Sequence, residues 1–177
     1  MRNNQGFTLI ELIVVIIIIG ILAGGAAMGI HSLDSGNAQS SVKRINALID
    51  YVQVQNMSKD KSYYLVIEEE SGAYVAKVQY DVAGTRKDIL TEKLKLKNGN
   101  ITYYNKLSAD PAESEITYTI DSEVSPAVSL EISFVKDSGA LQIGSDGRYV
   151  KRIVVNAANR TFTIYLVAAT GKHYIEG

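Results

Sequence analysis

One run of apolar residues near the start limits what this chain can fold into. From Phe7 to Ile30 it reads FTLIELIVVIIIIGILAGGAAMGI, and between Arg2 and His31 the one ionisable side chain is Glu11. At about 1.5 Å per helical residue this run spans roughly 36 Å, against about 30 Å for the hydrocarbon core of a bilayer. A single membrane-crossing helix accommodates it. A cleaved signal peptide, with Arg2 as the basic end and Ala23, Gly24, Gly25, Ala26 and Ala27 as the cleavage region, fits less well, because such apolar regions run about 7–15 residues and lack acids. A plain anchor fits the length, and Arg2 with the N-terminal amine favours a cytoplasmic N-terminus. It leaves Glu11 unexplained, since a carboxylate inside a membrane helix costs on the order of 2–4 kcal/mol unless it is protonated, partnered or near the interface. An acid kept there implies a partner.

Composition narrows the classes further. The 177 residues carry 18 Lys+Arg against 19 Asp+Glu, so there is no global pull toward nucleic acid or an anionic membrane. The absence of cysteine excludes disulfides, thiolate metal sites and cysteine nucleophiles. His31 and His173 are far apart, and no GxxxxGK[ST], HExxH or GxSxG is present. The expectation is a protein that is not an enzyme and holds neither cofactor nor metal. An acidic loop around Ser108–Ser125, with Asp110, Pro111, Glu113, Glu115, Asp121 and Glu123, lacks the ligand spacing of a recognised calcium loop.

The segment Gly6-Phe7-Thr8-Leu9-Ile10-Glu11-Leu12, after a six-residue polar leader and before the long apolar run, resembles the start of a type IV prepilin or pseudopilin. The resemblance implies cleavage after Gly6 by a membrane-embedded prepilin peptidase and N-methylation of Phe7. It also implies that Glu11 meets the N-terminal amine of a neighbouring subunit during filament assembly. The implied partners are other pilin subunits, the peptidase, the inner-membrane assembly machinery and the membrane itself before assembly. The implied location is the cytoplasmic membrane, single-pass with the N-terminus inside, then an extracellular filament or a periplasmic pseudopilus. Leu9, Leu12 and the rest of the stripe to Ile30 form the expected packing surface. Gly20-x-x-x-Gly24 and Gly25-x-x-x-Gly29 put small residues one turn apart, permitting close helix approach; they also lower helix propensity, so a segment that stretches in a filament is an equal reading. Many major pilins carry a proline in this stretch, whereas the first here is Pro111, and the chain reads as a minor subunit.

Beyond Ile30, Ala38, Val42, Ile45, Ile49 and Val52 recur at helical spacing, predicting an amphipathic continuation to about Met57. From Ser58 onward, short runs rich in Tyr, Val, Ile and Thr alternate with turn residues. Expected strands include Tyr63–Glu69, Tyr74–Tyr80, Ile89–Lys97, Ile101–Asn105, Ile116–Ile120, Val128–Val135, Leu141–Ile143, Lys151–Asn156, Arg160–Leu166 and Lys172–Ile175. The fold class is therefore α+β: a long N-terminal helix, membrane anchor plus amphipathic half, packed on an antiparallel β-sheet domain. The expected division is 1–6 leader, 7–30 membrane and filament-core helix, 31–57 amphipathic helix, and 58–177 extracytoplasmic β domain.

Phe134, Asp137-Ser138-Gly139, Ile153-Val154-Val155, Phe162-Thr163-Ile164 and Thr170-Gly171-Lys172 are similar to the C-terminal β region of H-type minor pseudopilins and FimT-like minor pilins. From Arg148 to Gly177 the basic Arg148, Lys151, Arg152, Arg160 and Lys172 face one acid, Glu176. Some FimT-like pilins capture DNA, so this patch is a candidate site for DNA or another surface ligand, against the plainer reading of a solvated β face. The leading reading is a minor pilin-like structural subunit. A filament-tip module for DNA uptake or cell adhesion, a type II secretion pseudopilin, and a membrane-anchored β domain that never polymerises stay open.

Overall fold

The computed structural model describes residues 9–96, 99–108, 115–121, 127–157 and 160–177, with backbone alone for Glu11 and 21–35. The chain is α+β. Helix α1 (Leu9–Ser58) is followed by β1 (Tyr63–Glu70), β2 (Ala73–Val82), β3 (Thr85–Lys93), β4 (Gly99–Leu107), β5 (Ile116–Thr119), β6 (Leu130–Ser133), β7 (Arg148–Ala157), β8 (Arg160–Leu166) and β9 (His173–Glu176). Where one antiparallel sheet was expected there are two, ordered β3-β2-β1-β6 (sheet A) and β5-β4-β7-β8-β9 (sheet B).

The amphipathic stripe explains how they are held together. Ala38, Val42, Ile45, Ile49 and Val52 are all 0 or 1% exposed, and they meet inward-pointing residues of both sheets in one core. Sheet A contributes Leu65, Ile67, Ala76, Val78, Leu130 and Ile132, and sheet B contributes Ile101, Ile153, Val155, Phe162 and Ile164. Strand pleating puts one face of β1, β2, β6, β7 and β8 toward the helix, whereas β3 and β5 lie at the exposed edges of their sheets.

Local chemistry sets the turns. Ser71-Gly72 and Ala83-Gly84 join β1–β2 and β2–β3 as two-residue loops. All four residues have positive φ: 51° and 76° in the first loop, 53° and 80° in the second. That is the type I′ geometry whose twist matches paired strands. The Ala83-Gly84 turn starts β3 at Thr85, earlier than the expected Ile89, because alanine is a poor sequence signal for a left-handed turn. The expected strand Ile89–Lys97 also stops early: β3 ends at Lys93, Leu94 is buried beyond it, and Lys97 lies outside the described residues. The expected strand Leu141–Ile143 reduces to an isolated bridge between Leu141 and Phe134.

Buried polar groups fasten the helix to the sheets. Asn56 donates to the carbonyls of Val52 (3.1 Å) and Tyr63 (2.8 Å) and accepts from the Tyr63 amide (2.9 Å). Ser41 Oγ donates to Asn37 O at 2.9 Å and accepts from the Lys95 amide at 3.0 Å. Gln53 Nε2 donates to Gly139 O (2.7 Å) and Thr170 O (3.2 Å), and His173 Nε2 lies 3.1 Å from Asp50 Oδ1. The bonds of Asn56, Ser41 and Gln53 all go to main-chain groups, several of them otherwise removed from water by the helix–sheet contact, whereas the His173–Asp50 contact joins two side chains.

Candidate functional site

The N-terminal part of α1 has no cover from its own domain. The ten apolar side chains Leu9, Ile10 and Leu12 to Ile19 are 44–78% exposed. A contiguous apolar surface of this kind marks contact with lipid or protein. A Cβ added at Gly20 would have nothing within 4 Å, so close approach of another helix there is unobstructed. Gly6 and Phe7 lie outside the described residues, as do the Glu11 side chain and the surroundings of Gly24, Gly25 and Gly29. Among the described residues no helix is long and apolar enough to cross a membrane; most of the 7–30 run falls outside that description or has backbone alone.

The basic residues of the last third are not gathered into one cluster. Lys151 and Arg152 come together through a bulge in β7: Tyr104 pairs with Arg152 and Asn105 with Val150, leaving Lys151 as the extra residue. The bulge shifts the alternation by one position, so Val150 and Ile153 both point into the core and the two cations between them point out. Both meet Glu115, Lys151 through its ammonium and Arg152 through Nε at 3.1 Å and Nη2 at 2.9 Å. The hydrogen bond from Lys151, with Arg152 beside it, holds the Glu115 carboxyl below the usual carboxylate range. Arg152 also stacks over the Tyr104 ring, 3.9 Å from its centroid. Arg148 sits instead beside Asp146, Nε to Oδ2 at 3.9 Å. Arg160 opens β8, five residues and roughly 17 Å along the strand from the partner of Arg152, and Lys172 is exposed just before β9.

Sequence reading assigned Glu115 to an acidic loop and missed its role, because its partners lie 36 and 37 residues away. It also missed Asn56 as a structural joint and the outward tyrosines Tyr104, Tyr165 and Tyr174. Strand alternation could have found the tyrosines once the hairpin registers were known.

A helix covered by its own domain from Ala38 onward and exposing its described apolar side chains from Leu9 to Ile19 has the form of a segment that inserts into lipid or protein. Residues 1–27 match the family model of the prokaryotic N-terminal methylation motif, the signature of type IV pilins and pseudopilins. The N-terminus thus carries the processing and methylation motif of a prepilin-peptidase substrate, the motif of type IV pilin-like proteins that are anchored in the membrane before assembly. It implies the peptidase and other pilins as partners. No curated protein and no solved structure matches the chain.

Proposed function

We infer that this chain is a minor type IV pilin-like subunit whose activity is assembly and not catalysis. The methylation motif at residues 1–27, leading directly into the uncovered apolar start of α1, carries the reading. The peptidase cuts after Gly6 and Phe7 becomes the methylated terminus. The 7–30 and 31–57 segments act as one long helix that holds the β domain outside the cytoplasmic membrane and then enters a filament core. Leu9, Leu12 and the following apolar residues are the packing surface, with Gly20, Gly24, Gly25 and Gly29 allowing close approach. Glu11 sets the register, because an incoming ammonium offsets the cost of its buried carboxylate in one alignment only.

Two observations bear on the alternatives. Lys151 and Arg152 share Glu115, which lowers the charge available for a polyanion and favours the structural reading over DNA capture. Glu11 within the apolar run favours polymerisation over a plain anchor, which would leave its carboxylate without a partner. A surface pilus and a secretion pseudopilus use the same helix.

The test is to shear filaments from native cells and quantify this chain against the other subunits by mass spectrometry, reading its N-terminal peptide in the same run. Trace abundance with a methylated Phe7 terminus supports the minor-subunit reading. High abundance makes it a major subunit, and absence with Met1–Gly6 still attached identifies a non-polymerising anchor.

A further inference from the structure

The last hairpin of the chain meets the helix through a histidine. The turn between β8 and β9 closes on its own main chain, with Gly171 N donating to Val167 O and Val167 N to Lys172 O, each at 2.8 Å. Gln53 of α1 bonds Thr170 O on this turn. Three residues earlier on the helix, Asp50 Oδ1 lies 3.1 Å from Nε2 of His173, the first residue of β9. The His173 side chain is 4% exposed, and its other nitrogen is engaged as well, with Nδ1 3.1 Å from Gly171 O.

Both oxygens are acceptors. A carbonyl has no proton to give, and an ionised carboxylate has none either. Neutral imidazole carries one N–H, so either tautomer turns a lone pair toward one of the two oxygens. The imidazolium carries two and satisfies both, with its charge beside the Asp50 carboxylate. Burial opposes the charged ring, but it also makes a lone pair facing an oxygen costly, because water is not there to intervene.

The other groups around the ring leave this pair in charge. From α1, Asp50 is the carboxylate within 4 Å of the ring nitrogens among the described residues. The helix cations nearest to it in sequence, Arg44 and Lys43, lie six and seven residues back, roughly 9 and 10 Å along the axis, and Arg44 pairs with Glu92. Strand β8 offers the apolar Leu166 as the register partner of His173. The segment between Phe134 and Leu141, which reaches Gly171 through Gly139, carries Lys136, paired with Asp60, and the exposed Asp137. On the hairpin itself Lys172 is exposed, and alternation turns Tyr174 and Glu176 to the opposite face of the sheet.

We propose that Asp50 and His173 form a proton-operated latch, which holds edge strand β9 to helix α1 while the ring carries both protons and loosens it when one is lost. The contribution is whole while the ring is charged and disappears as pH rises. The range is about pH 6 to 8, where an ordinary imidazole, near 6.5, gives up its proton. The latch is independent of the assembly reading and stands whether or not the chain polymerises.

The test is amide hydrogen exchange of the full chain in micelles, read by NMR at pH 6 and pH 8 and expressed as protection relative to an unfolded peptide at each pH. With His31 as the one other histidine, His31→Gln serves as the control. Protection in β9 falls about three- to tenfold from pH 6 to pH 8, a bond to a charged group discounted for the 62% exposure of Asp50, while protection in β1 holds. The fall persists in His31→Gln and vanishes in His173→Gln and in Asp50→Asn. Near-UV circular dichroism reports folding; should His173→Gln not fold, Asp50→Asn on the exposed side of the pair carries the comparison. Equal β9 protection at the two pH values, the same fall in a folded Asp50→Asn, or a fall shared equally by β1 overturns the latch.

Discussion

Replacing Gly171 by alanine tests how the C-terminal hairpin is locked to the helix. Gly171 has φ +65°, and an added Cβ would lie 2.0 Å from Gly139 O, 2.3 Å from Gln53 Nε2 and 2.9 Å from Phe134 Cε1. Two costs are separable. The left-handed backbone costs an alanine about 1–2 kcal/mol. The close approach to a main-chain oxygen cannot be relieved by rotating a side chain, since ordinary C···O contacts lie at about 3.3–3.6 Å; the two turns that hold Gly139 and Gly171 must part by more than about 1 Å. That movement breaks the bonds from Gln53 Nε2 to Gly139 O and Thr170 O, and a buried group left unpaired costs about 1–3 kcal/mol. Gly171→Ala therefore loses about 2–5 kcal/mol. Gly72→Ala is the control: φ is +76° and nothing lies within 4 Å of the added Cβ, so only the backbone cost applies, about 1–2 kcal/mol. At about 2–4 °C per kcal/mol for a chain of this size, the first variant melts on the order of 10 °C below the parent and the second about 3 °C. The assay is thermal unfolding of the full chain in micelles, followed by near-UV circular dichroism so that the β domain's tyrosines report. A loss in Gly171→Ala no larger than in Gly72→Ala would refute the lock.

Asn56→Ala removes three hydrogen bonds between the end of α1 and Tyr63 or Val52 and costs about 2–3 kcal/mol; chemical denaturation showing no loss of midpoint would contradict its role as a joint. Ala83→Asn relieves a φ of +53° in the turn type that prefers asparagine and stabilises by about 0.5–1 kcal/mol, readable as a higher melting temperature. Burial pushes the Tyr103 phenol up to about 12 from its ordinary 10.0, so the fold favours its neutral form. Its contribution is whole below pH 10 and is lost as pH rises through 12, giving a late step in tyrosinate absorbance that Tyr103→Phe abolishes. Glu11→Gln leaves the β domain's melting temperature unchanged while reducing recovery of the chain in sheared filaments; normal incorporation would remove Glu11 from the register-setting role.

How much was legible in the sequence differs from element to element. The stripe Ala38–Val52 predicted the buried face of α1 residue by residue, since a 3.6-residue period is a local property that tertiary contacts reinforce. Nine of the strands are real, yet β3 was displaced by four residues because its turn uses Ala83 where asparagine or glycine would have signalled it. Leu141–Ile143 has the composition of a strand but finds a partner only at Leu141.

What the sequence by itself determined was the apolar N-terminal run with its single acid, the processing motif, and the amphipathic stripe. Each rests on residues a few positions apart, and short-range periodicity or spacing is enough to read it. Only the tertiary structure decided that there are two sheets, that a bulge at Lys151 turns two neighbouring cations to the same side, and that Glu115 meets both. It alone aligned Tyr104, Arg152, Tyr165 and Tyr174 into one row. These depend on strand register between segments up to about seventy residues apart, and a one-residue slip in any pairing would send the same side chains to the opposite face.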